Sequence, residues 1–239
     1  MKAIKKDDAI SRTARIISRL KKEFPQARTA LMFSDPLQLL ISTMLSAQCT
    51  DVRVNIVTPA LFAKYRHVKD FAEADRNELE DEIKSTGFYR MKAKHIMEAC
   101  TAIVDHFQGH VPQSMDDLMS LPGVGRKTAN CVLGGAYGIQ SGIVVDTHVI
   151  RLSNRLGLTK NTSPEKIEQD LMKLVPKKEW YRFSNLLILH GRKTCNARKP
   201  LCEHCVLSDN CPSANILSFV RKHARHFALS GGRESRIRK

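Results

Sequence analysis

The sequence predicts an all-α fold. Apolar residues recur at three- and four-residue spacings along most of the 239 residues. Helix-start signals stand where those patterns begin, and strand signals are almost absent. The first pattern covers about 8–23. Asp35-Pro36 places a cap before a first-turn proline and opens a helix over about 36–46. Further patterns occupy about 51–65 and 77–84. In 91–107, Ile96, Cys100, Ile103, Val104 and Phe107 share one helical face. Ser114-Met115-Asp116-Asp117 resembles a capping box, with Asp in place of Glu, and opens a short helix that Pro122 stops. The next helices run over about 126–137 and 147–156. Ser163-Pro164 repeats the capping device before 164–174, and a last pattern covers 180–191. Gly87, Gly109, Gly157 and Gly191 are the expected helix stops. Only Ile143-Val144-Val145 reads as strand, and that run is short with no partner run nearby. No internal repeat of solenoid length is visible.

The net charge is +15, from 39 Lys and Arg against 24 Asp and Glu. Residues 221–239 contain seven cations and one Glu, so the other 220 residues still carry +9. A basic body, and not only a basic tail, favours a polyanionic partner such as nucleic acid. No apolar run approaches the roughly 20 residues that span a bilayer. The charged N-terminus lacks the apolar centre of a signal peptide. Both point to a protein with no membrane partner and an intracellular location. Seven cysteines in a reducing compartment are metal ligands or buried thiols rather than disulfides. Cys49, Cys100 and Cys131 lie on apolar helical patterns and read as small core residues.

Two stretches carry chemistry. The first is LPGVGRKTAN, residues 121–130. Gly123 and Gly125 allow positive φ and remove side chains that would hold a ligand away. The first N–H groups of the helix that starts near Arg126 then face outward and can bind an anion. Gly123, Val124, Gly125 and Arg126 are therefore expected contacts to a nucleic-acid backbone. An ordinary helical turn capped by glycine is the competing explanation.

The second stretch is CNARKPLCEHCVLSDNC, residues 195–211. Thiolates from Cys195, Cys202, Cys205 and Cys211 at such short range converge on one metal centre. Structural zinc usually takes two close Cys pairs, whereas only Cys202 and Cys205 form one here. The uneven gaps fit a [4Fe–4S] cluster better. His204 reads as a surface residue. Arg198 and Lys199, between the first two cysteines, are phosphate contacts or simply an exposed charged loop.

Together these pieces resemble endonuclease III, the DNA glycosylase/AP lyase family of the helix–hairpin–helix superfamily. The resemblance covers about residues 8–213. It rests on LSAQCTD (45–51), LPGVGRKTAN (121–130), VDTHVIRLSNRLG (145–157) and the cysteine set. It implies a base-excision enzyme that removes oxidised pyrimidines and cleaves the strand by β-elimination. By position in the family pattern, Lys127 is the nucleophile that attacks C1′ and forms a Schiff base. Such an amine must be neutral, which burial and the neighbouring Arg126 cation are expected to favour. Asp146 in VDTH is the matching carboxylate, although it also stands where an N-cap opens the next helix. Gln48 and Phe88 are the side chains that fill the gap left by a flipped nucleotide.

The resemblance further implies a DNA-binding groove flanked by two helical lobes. A six-helix bundle over 29–139 contains the hairpin. The cluster lobe over 140–213 is joined by the N-terminal helix within 1–28, and a partly disordered basic tail follows over 214–239. The expected partner is double-stranded DNA with a damaged base or an abasic site, bound by a monomer that is cytoplasmic and nucleoid-associated. Two departures stand out: a glycine-rich segment, GGAYGIQSGIVV (134–145), and phenylalanine rather than leucine at position 88. Two alternatives remain. A non-catalytic DNA-binding module with a structural metal site explains the charge, hairpin and cysteines, but not Lys127 with Asp146. A monofunctional glycosylase of the same superfamily lacks the lysine.

Overall fold

The computed structural model describes residues 6–214, so the basic tail from 215 onward lies outside the described residues. Among those residues there are eleven α-helices and no strand. The helices are α1 (Lys6–Glu23), α2 (Pro36–Leu45), α3 (Asp51–Lys64), α4 (Val68–Ala72), α5 (Arg76–Ile83), α6 (Tyr89–Phe107), α7 (Met115–Ser120), α8 (Arg126–Ala136), α9 (Thr147–Arg155), α10 (Pro164–Leu174) and α11 (Trp180–Lys193). No helix among the described residues is long and apolar enough to cross a membrane.

Most helices begin where a short polar side chain satisfies the first orphan N–H groups. Asp35, Thr50, Asp75, Ser114 and Ser163 accept from Gln38, Arg53, Glu78, Asp117 and Lys166 N–H, respectively. Each such cap stabilises its helix by about 1 kcal/mol. The Ser114 hydroxyl also donates to Asp117 Oδ2 at 2.6 Å, which ties the two side chains of this cap together.

Three local expectations change. The helix α4 has only five residues, too few to show a 3.6-residue period. It forms because Val68 and Phe71 are buried and Asp70 accepts the N–H groups of Arg66 and His67, both at 2.8 Å. Gly191 does not stop α11, which continues to Lys193. A Cβ at Gly191 would stand 3.0 Å from Arg151 Nη2 and 3.1 Å from His148 Cδ2, so close packing on α9 requires the glycine. Cys49 lies in the turn after α2 rather than on a helical face. As its lack of a partner run implies, Ile143-Val144-Val145 is buried without joining any ladder.

The chain divides into two compact units. One comprises 28–144 and 177–182. Its core gathers Leu39, Leu40 and Ile41 of α2, Leu61 of α3, Phe71 of α4, Leu79 of α5, Ile96 and Ile103 of α6, and Val132 and Leu133 of α8. Burial of each such side chain contributes about 1.5–3 kcal/mol. The glycine-rich segment has its explanation here. A Cβ on Gly134 would come within 2.4 Å of the Tyr181 ring, and one on Gly135 within 2.8 Å of Leu39. The other unit contains α1, residues 145–176 and the chain from Phe183 onward. Ile16, Leu20, Val149, Leu152, Ile167, Leu171, Phe183 and Leu186 are among its buried helical positions.

Candidate active site and metal centre

The hairpin 121–125 joins α7 to α8. Leu121, before Pro122, is extended with ψ 136°, as a following proline requires, and α7 ends there. Gly123 has φ +74°, the left-handed region that glycine enters without cost. A Cβ at Gly123 would also stand 2.7 Å from Cβ of His95. Gly123→Ala therefore combines a backbone penalty with a steric one. It is expected to lower unfolding stability by about 1–3 kcal/mol, read by chemical denaturation. Gly125 differs from expectation: its φ is −94° and its ψ 173°, ordinary extended backbone. A Cβ there meets nothing within 4 Å, so neither conformation nor packing within the chain calls for glycine.

As N-cap of α8, Gly125 offers no side-chain acceptor, unlike the caps of α2, α3, α5, α7, α9 and α10. The first turn of α8 thus presents N–H groups and a positive helix end to an external anion. Val124, grouped by sequence with the DNA contacts, is 6% exposed and gives its N–H to Leu121 O at 3.1 Å. Its buried side chain anchors the hairpin. Arg126 and Lys127 are the first two residues of α8, and both are exposed. The burial expected around the Lys127 amine is absent, since the side chain is exposed. Any desolvation there must come from a bound partner.

Asp146 opens α9 in the other unit. Its Oδ1 accepts from His148 N–H at 2.8 Å and Val149 N–H at 2.9 Å. Its Oδ2 lies 3.1 Å from Nδ1 of His148. The cap fixes one oxygen and the His148 ring holds the second, so the carboxylate has one orientation. Sequence reasoning missed His148. The available signal was a side chain two residues past an N-cap, within reach of the capping carboxylate.

Gln48 and Phe88 come together at one place. Both are exposed, and both have left-handed backbone, with φ 52° and 49°. Phe88 is 66% exposed despite its size. The two line a cavity of about 250 Å³ with Met44, Met91, His95 and Gly123. Turns at the ends of α2 and before α6 carry them, so the chain holds both side chains beside the hairpin.

The four cysteines sit along successive turns after α11. Cys195 N–H bonds to His190 O at 2.8 Å, Cys205 N–H to Cys202 O at 3.3 Å, and Cys211 N–H to Ser208 O at 3.3 Å. All four line one small apolar cavity with Arg155, Pro200, Leu201 and Ala214. Among the described residues no three His, Cys, Asp or Glu side chains gather as a single metal ion requires. Several groups address the sulfurs. Arg155 Nη1 lies 3.3 Å from Cys195 Sγ, Leu207 N–H 3.4 Å from Cys205 Sγ, and His190 Nε2 3.4 Å from the same Cys205 Sγ. Burial pushes the Cys205 thiol up to about 11 and raises Cys211 as well. A bound cation reverses that preference by favouring the thiolate. Four soft donors around one cavity, with N–H groups aimed at Cys195 and Cys205, therefore fit a thiolate-bound cluster.

The helix α1 braces this loop. Arg19 donates to Val206 O at 2.9 Å and grips Asp209 with both guanidinium nitrogens, at 2.8 and 2.9 Å. Arg12 donates to Leu156 O and to Gly157 O, the latter at 2.9 Å. Glu23 of α1 lies 3.3 Å from His190 Nδ1. Sequence reasoning missed Arg155, His190 and Glu23, since distant segments bring them to the cysteines. His204 is exposed, as expected. Arg198 and Lys199 are exposed on the loop between Cys195 and Cys202. Among the described residues neither is paired with a carboxylate.

Comparisons with known proteins identify the family. Residues 41–177 match the family model described as HhH-GPD superfamily base excision DNA repair protein. Endonuclease III of Synechocystis sp. is 57% identical over 203 residues, covering 85% of this chain and 93% of that protein. A solved non-covalent endonuclease III–DNA complex superposes with TM-score 0.84 at 42% identity, covering 88% of this chain and 98% of that one. A trapped endonuclease III–DNA covalent intermediate, an estranged-adenine complex, gives TM-score 0.82 at 42% identity, covering 87% and 97%. The match to the family model extends over more than half of the chain and includes the hairpin, Lys127 and Asp146, so this chain belongs to the HhH-GPD superfamily of base excision DNA repair proteins, in its endonuclease III family.

Proposed function

We propose that Lys127 is the nucleophile and Asp146 the essential carboxylate of a DNA glycosylase/AP lyase acting on oxidised pyrimidines. The chain is a base excision repair enzyme by family. The observation that carries the residue-level reading is Lys127 exposed in the first turn of α8, beside N–H groups that no side chain of Gly125 caps. The uncapped turn holds a backbone phosphate, and the neighbouring amine attacks C1′ of the damaged nucleotide. The base leaves, a Schiff base forms on Lys127, and β-elimination breaks the strand. Asp146, held by its cap, stabilises positive charge developing on the sugar. Gln48 and Phe88 enter the gap left by the flipped nucleotide. Arg126, Arg198 and Lys199 contact phosphates without reading sequence. All of these groups belong to one chain, and we take the acting species to be a monomer on DNA inside the cell. A non-catalytic DNA-binding module accounts for the charge and the hairpin, but it does not call for Lys127 and Asp146 together.

Gly125→Ala tests the phosphate grip. The added methyl meets no protein atom, so stability should change by less than about 0.5 kcal/mol. Affinity for an abasic-site duplex should nonetheless fall, because the methyl stands over the uncapped N–H groups. Unchanged affinity would remove the phosphate from this turn. The reaction class is tested with a panel of lesion-bearing duplexes, scoring base excision and strand cleavage separately.

Cys195, Cys202, Cys205 and Cys211 hold a [4Fe–4S] cluster in this reading. When bound, it cross-links the 195–211 loop at four points and so fixes the segment that carries Arg198 and Lys199. Purified protein should absorb visible light and contain about four iron atoms per chain. Cys205→Ser should lower both. A colourless protein with one zinc per chain would contradict the assignment.

A further inference from the structure

Beneath the Gln48 and Phe88 turns lies a buried lysine that the reaction itself does not use. Lys92 of α6 is 7% exposed. Its Nζ donates to Leu45 O at 2.7 Å and to Thr86 O at 2.8 Å. Leu45 is the last residue of α2, and Thr86 ends the 3-10 turn that follows α5. Gln48 stands three residues after the first carbonyl, and Phe88 two residues after the second. The backbone N–H of Lys92 also bonds to Phe88 O at 3.0 Å. One residue therefore ties down both turns.

A lysine is an expensive choice for this position. Among the described residues it makes no ion pair, and an apolar side chain would fill the space without the cost of burying an amine. What the amine supplies is two donors for carbonyls that helix and turn ends leave unsatisfied. Both turns need such restraint. Gln48 and Phe88 hold left-handed backbone, which non-glycine residues keep only where their surroundings impose it. Burial pushes the Lys92 amine below its ordinary range. A neutral amine still has two N–H donors, so both bonds persist whichever form is present.

We propose that Lys92 is a positioning residue that holds the Gln48 and Phe88 turns at one fixed separation, so that their side chains enter a duplex together. The proposal rests on the assignment of Gln48 and Phe88 as the gap-filling side chains. It makes a demand that general destabilisation does not. Only a duplex has a gap to fill, whereas an abasic site in single-stranded DNA needs nucleophile and phosphate grip alone. The quantity to measure is the ratio of borohydride-trapping rates on an abasic-site duplex and on the same strand without its complement.

Lys92→Met should lower that ratio by about 10- to 100-fold, the loss expected from misplacing a positioned group by about 1 Å. Lys92→Gln, which keeps an NH₂ donor on a shorter stem, should lower it less. It carries the same test if the Met variant is recovered unfolded. Phe88→Ala should lower the ratio too, and the Lys92→Met/Phe88→Ala double variant should fall little further than the larger single effect. If the Lys92 variants slow both substrates equally, or neither, while Gln48→Ala and Phe88→Ala lower the ratio, the Lys92 role is overturned and the gap-filling assignment stands. If Gln48→Ala and Phe88→Ala leave the ratio at the wild-type value, the gap-filling assignment fails and the proposal falls with it.

Discussion

Lys127→Ala is expected to abolish strand cleavage, lowering the lyase rate by about 10⁴-fold or more, as removal of a nucleophile does. The variant keeps its fold. Lys127 is exposed, and a surface substitution there should shift stability by no more than about 0.5 kcal/mol. It also keeps affinity for abasic-site DNA, because Gly123, Gly125 and the first N–H groups of α8 are unchanged. Binding without cleavage is thus the expected signature, read by gel shift and strand scission on the same duplex. Cleavage at the wild-type rate would mean that another group attacks C1′.

Asp146→Asn separates two roles carried by one side chain. Asparagine caps helices about as well as aspartate, so α9 keeps its start and stability changes by less than about 1 kcal/mol. The negative charge is lost, and base excision should slow by about 10²- to 10⁴-fold, the usual span for a positioned acid–base or charge-stabilising group. Asp146→Ala should lose the same chemistry and, in addition, about 1 kcal/mol of stability with the cap. Chemical denaturation and single-turnover excision on the two variants resolve the roles. If Asp146→Asn excises at the wild-type rate, the carboxylate is only a cap. His148, 3.1 Å from Asp146 Oδ2, steadies the oxygen that the cap leaves over.

Periodicity made the longer helices legible in the sequence, and polar caps marked where α2, α7, α9 and α10 start. The helix α4 escaped because five residues cannot show a period. Gly191 was misread because a glycine near a helix end looks alike whether it ends the helix or admits a neighbour. Here Arg151 and His148 come too close for a Cβ. The glycines at 134 and 135 carry the same lesson, since Tyr181 and Leu39, distant in sequence, require them.

The site was legible to a different depth at each residue. Spacing alone brought Cys195, Cys202, Cys205 and Cys211 together, because short loops limit how far thiols can separate. The hairpin was legible as a turn before a helix. That Gly125 rather than a polar cap opens α8 gains its meaning only beside the capped helices around it. Lys92, Arg155 and His190 were not legible. Each acts on partners 6 to 47 residues away in sequence through a bond that no local pattern announces.

In the proposed reaction the amine of Lys127 becomes covalently bonded to the sugar of the damaged nucleotide. Wild-type protein mixed with an abasic-site duplex and borohydride should yield a reduced adduct. Proteolysis and mass spectrometry of that adduct should place the added mass on Lys127. An adduct found on any other residue, or no adduct at all, would contradict the account.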